Sequence, residues 1–139
     1  MTTTEDNIEI LFNAHYGGFY PSNKSTEIYN RRMREINSEF IPIKTCIHVK
    51  RHDKLLVQIF RELGDEFATM KRNTIEIYSI PKKYENCYII DKYEGIEYIS
   101  VDINKYILKK ISEILVSNNN HDDKINEINI IMSEKHDYE

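Results

Sequence analysis

Asn86-Cys87-Tyr88-Ile89-Ile90-Asp91-Lys92-Tyr93-Glu94-Gly95-Ile96-Glu97-Tyr98-Ile99 reads as two strands folded back on a glycine turn, and it decides the fold class. Apolar positions alternate loosely around Tyr88 and Ile90, Tyr93-Glu94-Gly95 turns the chain, and Ile96 to Ile99 returns it. Just upstream, Thr74-Ile75-Glu76-Ile77-Tyr78 alternates as a strand does, and Pro81 ends it. The strands therefore cluster in the middle of the chain, with helices on either side. Before them, Asp53 caps a helix whose Leu56, Ile59, Phe60, Leu63 and Phe67 recur at three- and four-residue steps. Gly64 is its candidate terminator, which leaves Phe67 beyond the helix end. After them, Asp102 caps a helix carrying Ile103, Ile107, Ile111, Ile114 and Leu115 on one face.

Working further out, Ile8 to Asn13 is strongly apolar but alternates poorly, the pattern of a buried strand. A Gly17-Gly18 turn follows, then a helix capped by Ser22 or Ser25 that runs to about Asn37 with Tyr29, Met33 and Ile36 as its stripe. Ile43 to Val49 is read as a short strand. At the other end, Asn118 to Asp123 breaks the chain, and Ile125, Ile128 and Met132 space a short helix over 124–135. The order β-α-(β)-α-β-β-β-α-α predicts an α+β fold, a small, mainly antiparallel sheet packed with three to four helices. Residues 1–117 are expected to form a single globular domain and 118–139 an acidic C-terminal extension.

Composition limits the classes of function. A chain of 139 residues, 40% apolar and 30% charged, has the make-up of one soluble domain with a real core. Its net charge of −4 is uneven, because Glu5, Asp6 and Glu9 give residues 1–10 a charge of −3 and 118–139 carries −4 with its two lysines counted, which leaves the body at +3. That body is too weakly basic for a nucleic-acid interface, so nucleic acid is not an expected partner. No run approaches the length of a membrane span and no basic start precedes an apolar run, so the expected location is the cytoplasm, the host's if the protein is viral. Cys46 and Cys87 fit no metal or redox spacing and read as free thiols in a reducing compartment. Ten Tyr without Trp, with abundant Ile, Asn and Lys, is the skew of an AT-rich coding sequence.

Two of the four glycines stand together in Asn13-Ala14-His15-Tyr16-Gly17-Gly18-Phe19-Tyr20-Pro21-Ser22. Strand, glycine turn and helix start is a geometry that turns backbone N–H groups toward an anion. It is equally a plain chain reversal in which Tyr16 and Phe19 are packing residues. On the first reading Tyr16, Gly17, Gly18, Phe19 and Ser22, with Arg51 from the next helix start, form a ligand-binding set of aromatic faces, donors and a cation. The turn is neither a phosphate loop nor a dinucleotide fingerprint, since no Lys-Ser/Thr follows and the glycines are adjacent.

His52-Asp53 invites comparison with metal-dependent phosphohydrolases, but His15, His48, His121 and His136 are not placed as further ligands. No metal, cofactor or catalytic residue is therefore expected, and Asp53 reads as an N-cap.

Tyr16-Gly17-Gly18-Phe19 with Ser22, Arg51-His52-Asp53 with Leu56-Val57 and Glu62-Leu63-Gly64, and Ile80-Pro81 with Tyr88 to Glu97 keep a distinctive order. Over residues 9–99 the chain resembles a group of small uncharacterised proteins of tailed phages and large DNA viruses. Those carry a GGF-x-x-S turn, an R-x-D-x-x-LV…ELG helix and a Y-x-I-x-x-Y-x-G-x-E hairpin. They end soon after the hairpin in a His-Arg-Thr-Trp-like segment, where this chain has 102–139 instead. The resemblance implies a viral setting and no particular activity. Taken together, the expected function is a non-enzymatic viral or phage accessory protein that binds a small nucleotide-like ligand, as a homo-oligomer. A protein–protein interaction or structural module using the faces of the last two helices is the alternative. A small hydrolase using His15 or His52 is the second.

Overall fold

The computed structural model describes residues 6–70 and 74–135. Glu5, His136, Asp137 and Glu139, which entered the charge and ligand readings above, lie outside the described residues. The elements run β1 (Asn7–Asn13), α1 (Asn23–Ile36), α2 (Lys54–Ala68), β2 (Ile75–Pro81), β3 (Tyr88–Tyr93), β4 (Ile96–Val101), α3 (Ile103–Leu115) and α4 (His121–Glu134). The fold is α+β. Its antiparallel strands form two separate ribbons, β1 with β2 and β3 with β4.

β1 explains why its sequence alternates poorly. Leu11 faces a core made with Phe19, Tyr29, Cys46, Leu56, Ile59 and Phe60, which α1 and α2 close. Ile8 and Ile10 face a second core with Ile80, Tyr84, Cys87, Tyr106 and Ile107, under α3. A strand covered on both sides gains by being apolar at nearly every position. One long edge of β1 pairs with β2, and on the other the Leu11 N–H donates to the carbonyl of Arg51 at 3.0 Å.

The helices begin where their caps place them. Ser22, Asp53, Asp102 and Asn120 each accept a backbone N–H of the first turn of α1, α2, α3 and α4. Three local expectations need correction. Ile43 to Val49 is no strand; Thr45 caps a short 3-10 turn over Cys46–His48 instead. Gly64, with φ of 71°, breaks α2 without ending it, and the helix resumes to Ala68, so that Phe67 is helical. Ile36 is exposed and leaves the α1 face to Thr26, Tyr29 and Met33. Among the described residues no helix is long and apolar enough to cross a membrane.

Candidate functional site

Three of the four glycines meet at one place. The β3–β4 ribbon turns through Glu94 and Gly95, both with positive φ (51° and 84°), a two-residue turn that suits the twist of a hairpin. Its tip lies on the Gly17-Gly18 turn so closely that a Cβ on Gly95 would stand 2.8 Å from the Gly17 nitrogen and 3.1 Å from that of Gly18. Gly17 and Gly18 also have positive φ, 107° and 81°. The chain is poor in glycine, and it spends three here to let two backbones touch.

Asn13, fully buried at the end of β1, ties the two turns together. Its Nδ2 donates to the Gly95 carbonyl at 2.9 Å and to that of His15, while its own N–H donates to Glu97 Oε1 at 2.8 Å. Glu97 is 1% exposed, although its neighbours on β4 give it the look of an outward-facing polar residue. A carboxylate so buried requires a partner, and Arg51 supplies one through both terminal nitrogens, at 2.7 and 2.8 Å. The guanidinium lies 3.7 Å from the Phe19 ring centroid, and Phe19 is stacked on Phe60 at 5.6 Å. Burial pushes the Glu97 carboxyl up, but the hydrogen bonds from Arg51 and Asn13 outweigh it and hold the group below its ordinary 4.5.

That balance fixes a pH dependence. A depressed folded-state pKa stabilises the fold in full above the ordinary carboxylate range, and the contribution is lost as pH falls through the folded value. In Glu97→Gln this component disappears. Acid titration of stability, followed by circular dichroism from pH 6 downward, should then show a shallower loss below about pH 4.5 than in the parent. An unchanged slope would contradict the assignment.

The residues expected to hold a ligand are thus placed in three ways. Phe19, 3% exposed, lies between Phe60 and Arg51 and offers no face to a base. Ser22 caps α1 and donates to the Phe67 carbonyl at 2.7 Å, tying α1 to the end of α2. Tyr16 is widely exposed, at 67%, and Gly17 beside it is exposed as well. Gly17, Gly18, Phe19 and Arg51 share the junction with Gly95 and Glu97. Asn13 and Glu97 were missed as candidates; the one signal for Glu97 was its place in the Y-x-G-x-E motif.

An open cleft of about 1010 Å³ lies toward the other end of β1, lined from Asn7 to Glu9, along Lys50 to Gln58, and by Arg61, Lys82 and Glu85. Because Arg51 turns inward to Glu97, its neighbours Lys50 and His52 are left to line the cleft. Each carboxylate here is engaged. Glu9 pairs with Arg61, Asp53 accepts the Leu56 N–H at 3.0 Å, and Glu85 lies 3.4 Å from His52 Nε2. Lys50, Lys54 and Lys82 have no carboxylate partner among the described residues. Their ammonium groups give the cleft a surplus of positive charge.

His52 places Nδ1 2.6 Å from the Tyr88 hydroxyl, so carboxylate, imidazole and phenol stand in a row. The order is that of a relay, but burial holds the Tyr88 phenol above its ordinary pKa of 10.0, the wrong direction for a nucleophile. The row anchors the start of α2 to the β3 ribbon. Among the described residues no group of three or more His, Cys, Asp and Glu is placed to hold a metal ion. Both cysteines are buried and unbridged. Comparison with known proteins finds no matching family model, no similar curated protein and no similar solved structure.

Proposed function

We propose that the chain is a non-enzymatic accessory protein that binds a small, phosphate-bearing, nucleotide-like ligand in the cleft between β1 and the start of α2, in the phage or viral setting its resemblance implies. The observation that carries this reading is the convergence of Lys50, Lys54 and Lys82, none with a carboxylate partner among the described residues, on a space of about 1010 Å³. Pockets that hold small ligands run from about 300 to 1,000 Å³, so a mononucleotide or a small cyclic nucleotide fits by size. Lysines on flexible stems recognise phosphate as point charges. The glycine junction has a supporting role in this reading, holding Arg51 inward so that Lys50 and His52 face the ligand.

Thermal-shift measurements against mono-, di- and cyclic nucleotides test it. A ligand at a hundred times its Kd adds about 2.7 kcal/mol to stability, a shift of several degrees. Lys50→Glu/Lys54→Glu, two exposed substitutions, should abolish the shift and leave the unliganded melting point within a few degrees of the parent. The shift should also shrink with added salt. No shift with any nucleotide at millimolar concentration rejects the reading.

A further inference from the structure

The outer edge of β2 holds backbone groups left unpaired among the described residues. In an antiparallel ribbon, alternate residue pairs bond to each other, and the pairs between them point their N–H and C=O groups outward. The Leu11 N–H points outward, to the Arg51 carbonyl, so Ile77 opposite it points outward from the other edge. Ala14, which donates to the Thr74 carbonyl at 2.9 Å, and Ile75, which donates to Asp65 Oδ1 at 3.2 Å, fit the same alternation. Ile75, Ile77, Ser79 and Pro81 therefore line that edge. At its ends no N–H is open, because Asp65 takes that of Ile75 and Pro81 has none. Between those ends Ile77 and Ser79 keep both groups unpaired among the described residues. Ser79 is exposed, and Tyr78 beside it is 47% exposed.

We propose that this edge joins two copies of the chain about a two-fold axis, turning two β1–β2 ribbons into one four-stranded antiparallel sheet. A second copy is identified by the way the edge matches itself. With the axis at Tyr78, Ile77 of each copy lies opposite Ser79 of the other, and four hydrogen bonds use every open group of these residues. Ile75 and Pro81, the two positions with no N–H to give, then face each other. Tyr78 meets its own copy as a pair that shares no hydrogen bond, the closer of the two spacings, with Cα atoms about 4.5 Å apart. Each Tyr78 ring already packs edge-on to Phe12 at 6.3 Å, so an aromatic cluster closes across the axis. On the opposite face Pro81 of each copy comes over Ile75 of the other. That residue borders a notch of about 130 Å³ between β2 and α2, lined also by Leu11, Phe60 and Ile77. Like charges are kept apart, since Glu76 faces Ile80 in this register. The outer edge of β3 is open too, at Tyr88, Ile90 and Lys92, because the Cys87 carbonyl accepts from Asp102 and sets the opposite alternation. Lys92 charges that edge, and self-pairing about Ile90 sets Asp91 diagonal to its own copy, so β3 is guarded where β2 is not.

Sedimentation velocity on the full chain without nucleotide, from about 1 to 500 μM, reads the result independently of the ligand cleft. The parent should sediment as a dimer of twice 16.6 kDa at the upper end and dissociate on dilution. Tyr78→Lys and Tyr78→Glu each set like charges opposite one another on the axis, and each alone should be monomeric throughout. An equal mixture of the two should recover the dimer, because opposite charges then meet. Leu115→Glu, on the exposed face of α3, should leave the dimer intact. Hydrogen exchange on the parent decides the matter if the Tyr78 variants fail to fold. The Ile77 and Ser79 amides should exchange several-fold more slowly at the highest concentration than at the lowest. A parent that is monomeric at the highest concentration overturns the proposal, as does a dimer that survives both Tyr78 substitutions. A mixture that stays monomeric overturns it as well, and so does exchange at Ile77 and Ser79 that ignores concentration, or a dimer that Leu115→Glu abolishes.

Discussion

Arg51→Ala is expected to lower the unfolding free energy by about 3–5 kcal/mol, the largest loss foreseen for any single substitution in this chain. The effect comes less from the contacts removed than from what is left behind. Glu97 has a side chain 0% exposed, and without the guanidinium the Asn13 N–H is its one remaining hydrogen-bond donor among the described residues. The carboxyl must then take up a proton or draw water into the junction, and both undo the packing of the two turns. Phe19 also loses the cation against its ring. Urea denaturation at pH 7 measures the difference. Arg51→Lys should recover only part of it, since an ammonium cannot reproduce the two-point contact. Removing both charges as Arg51→Met/Glu97→Leu should cost less than Arg51→Ala alone, because no buried charge remains. A loss under 1 kcal/mol in Arg51→Ala would show that Glu97 is not the buried, paired carboxylate described above.

Gly95→Ala is the second large effect. A left-handed φ of 84° costs an alanine about 1 kcal/mol. Its Cβ would stand 2.8 Å from the Gly17 nitrogen, a backbone atom that cannot swing aside. Forcing extra volume into a packed contact adds about 1–3 kcal/mol. The expected sum is about 2–4 kcal/mol, read from the shift in denaturant midpoint at constant slope. Gly64→Ala makes the comparison informative. Its φ is likewise positive, at 71°, but nothing lies within 4 Å of the added Cβ. Strain alone then acts there, and with ψ of 168° it is the strain of a region that essentially only glycine enters, so any excess loss in Gly95→Ala is a lower bound on the cost of the close approach. A loss in Gly95→Ala of no more than about 1 kcal/mol would mean that the approach contributes nothing.

Much of the fold was legible in the sequence because it is written locally. The stripe from Leu56 to Leu63, the caps at Ser22, Asp53 and Asp102, and the Glu94-Gly95 hairpin depend on residues near one another along the chain. The apolar run of β1, interrupted at Glu9, reads as a buried strand, and both its faces are covered. What failed was decided by contacts distant in sequence. Gly64 reads as a helix end, yet the helix resumes beyond it to Ala68, where the Ser22 and Ser25 hydroxyls donate to the carbonyls of Phe67 and Ala68. The apolar Ile43 to Val49 segment looks extended, but Asn30 holds the Ile43 backbone through both its N–H and its carbonyl, while Thr26 and Thr45 take the N–H groups of Cys46 and Ile47.

The junction was half legible. Gly17-Gly18 and Arg51 stood out by rarity and position, but their partners are Gly95 and Glu97, 78 and 46 residues further along the chain. No periodicity links residues so far apart. Glu97 was hidden further by sitting where a two-residue alternation puts solvent. The cleft was illegible for a related reason. Lys50, Lys54 and Lys82 come from two segments and are ordinary surface lysines until the fold brings them to one space.

The proposed phosphate-bearing ligand sits among those lysines and not on the glycine turn. Amide chemical-shift mapping during titration with the nucleotide that gives the largest thermal shift separates the two places most directly. The changes should concentrate at Lys50, His52, Lys54, Lys82 and Glu85, with Tyr16, Gly17, Gly18 and Gly95 nearly unmoved. Changes centred on Tyr16 to Phe19 and Gly95, with the lysine amides silent, would contradict the account.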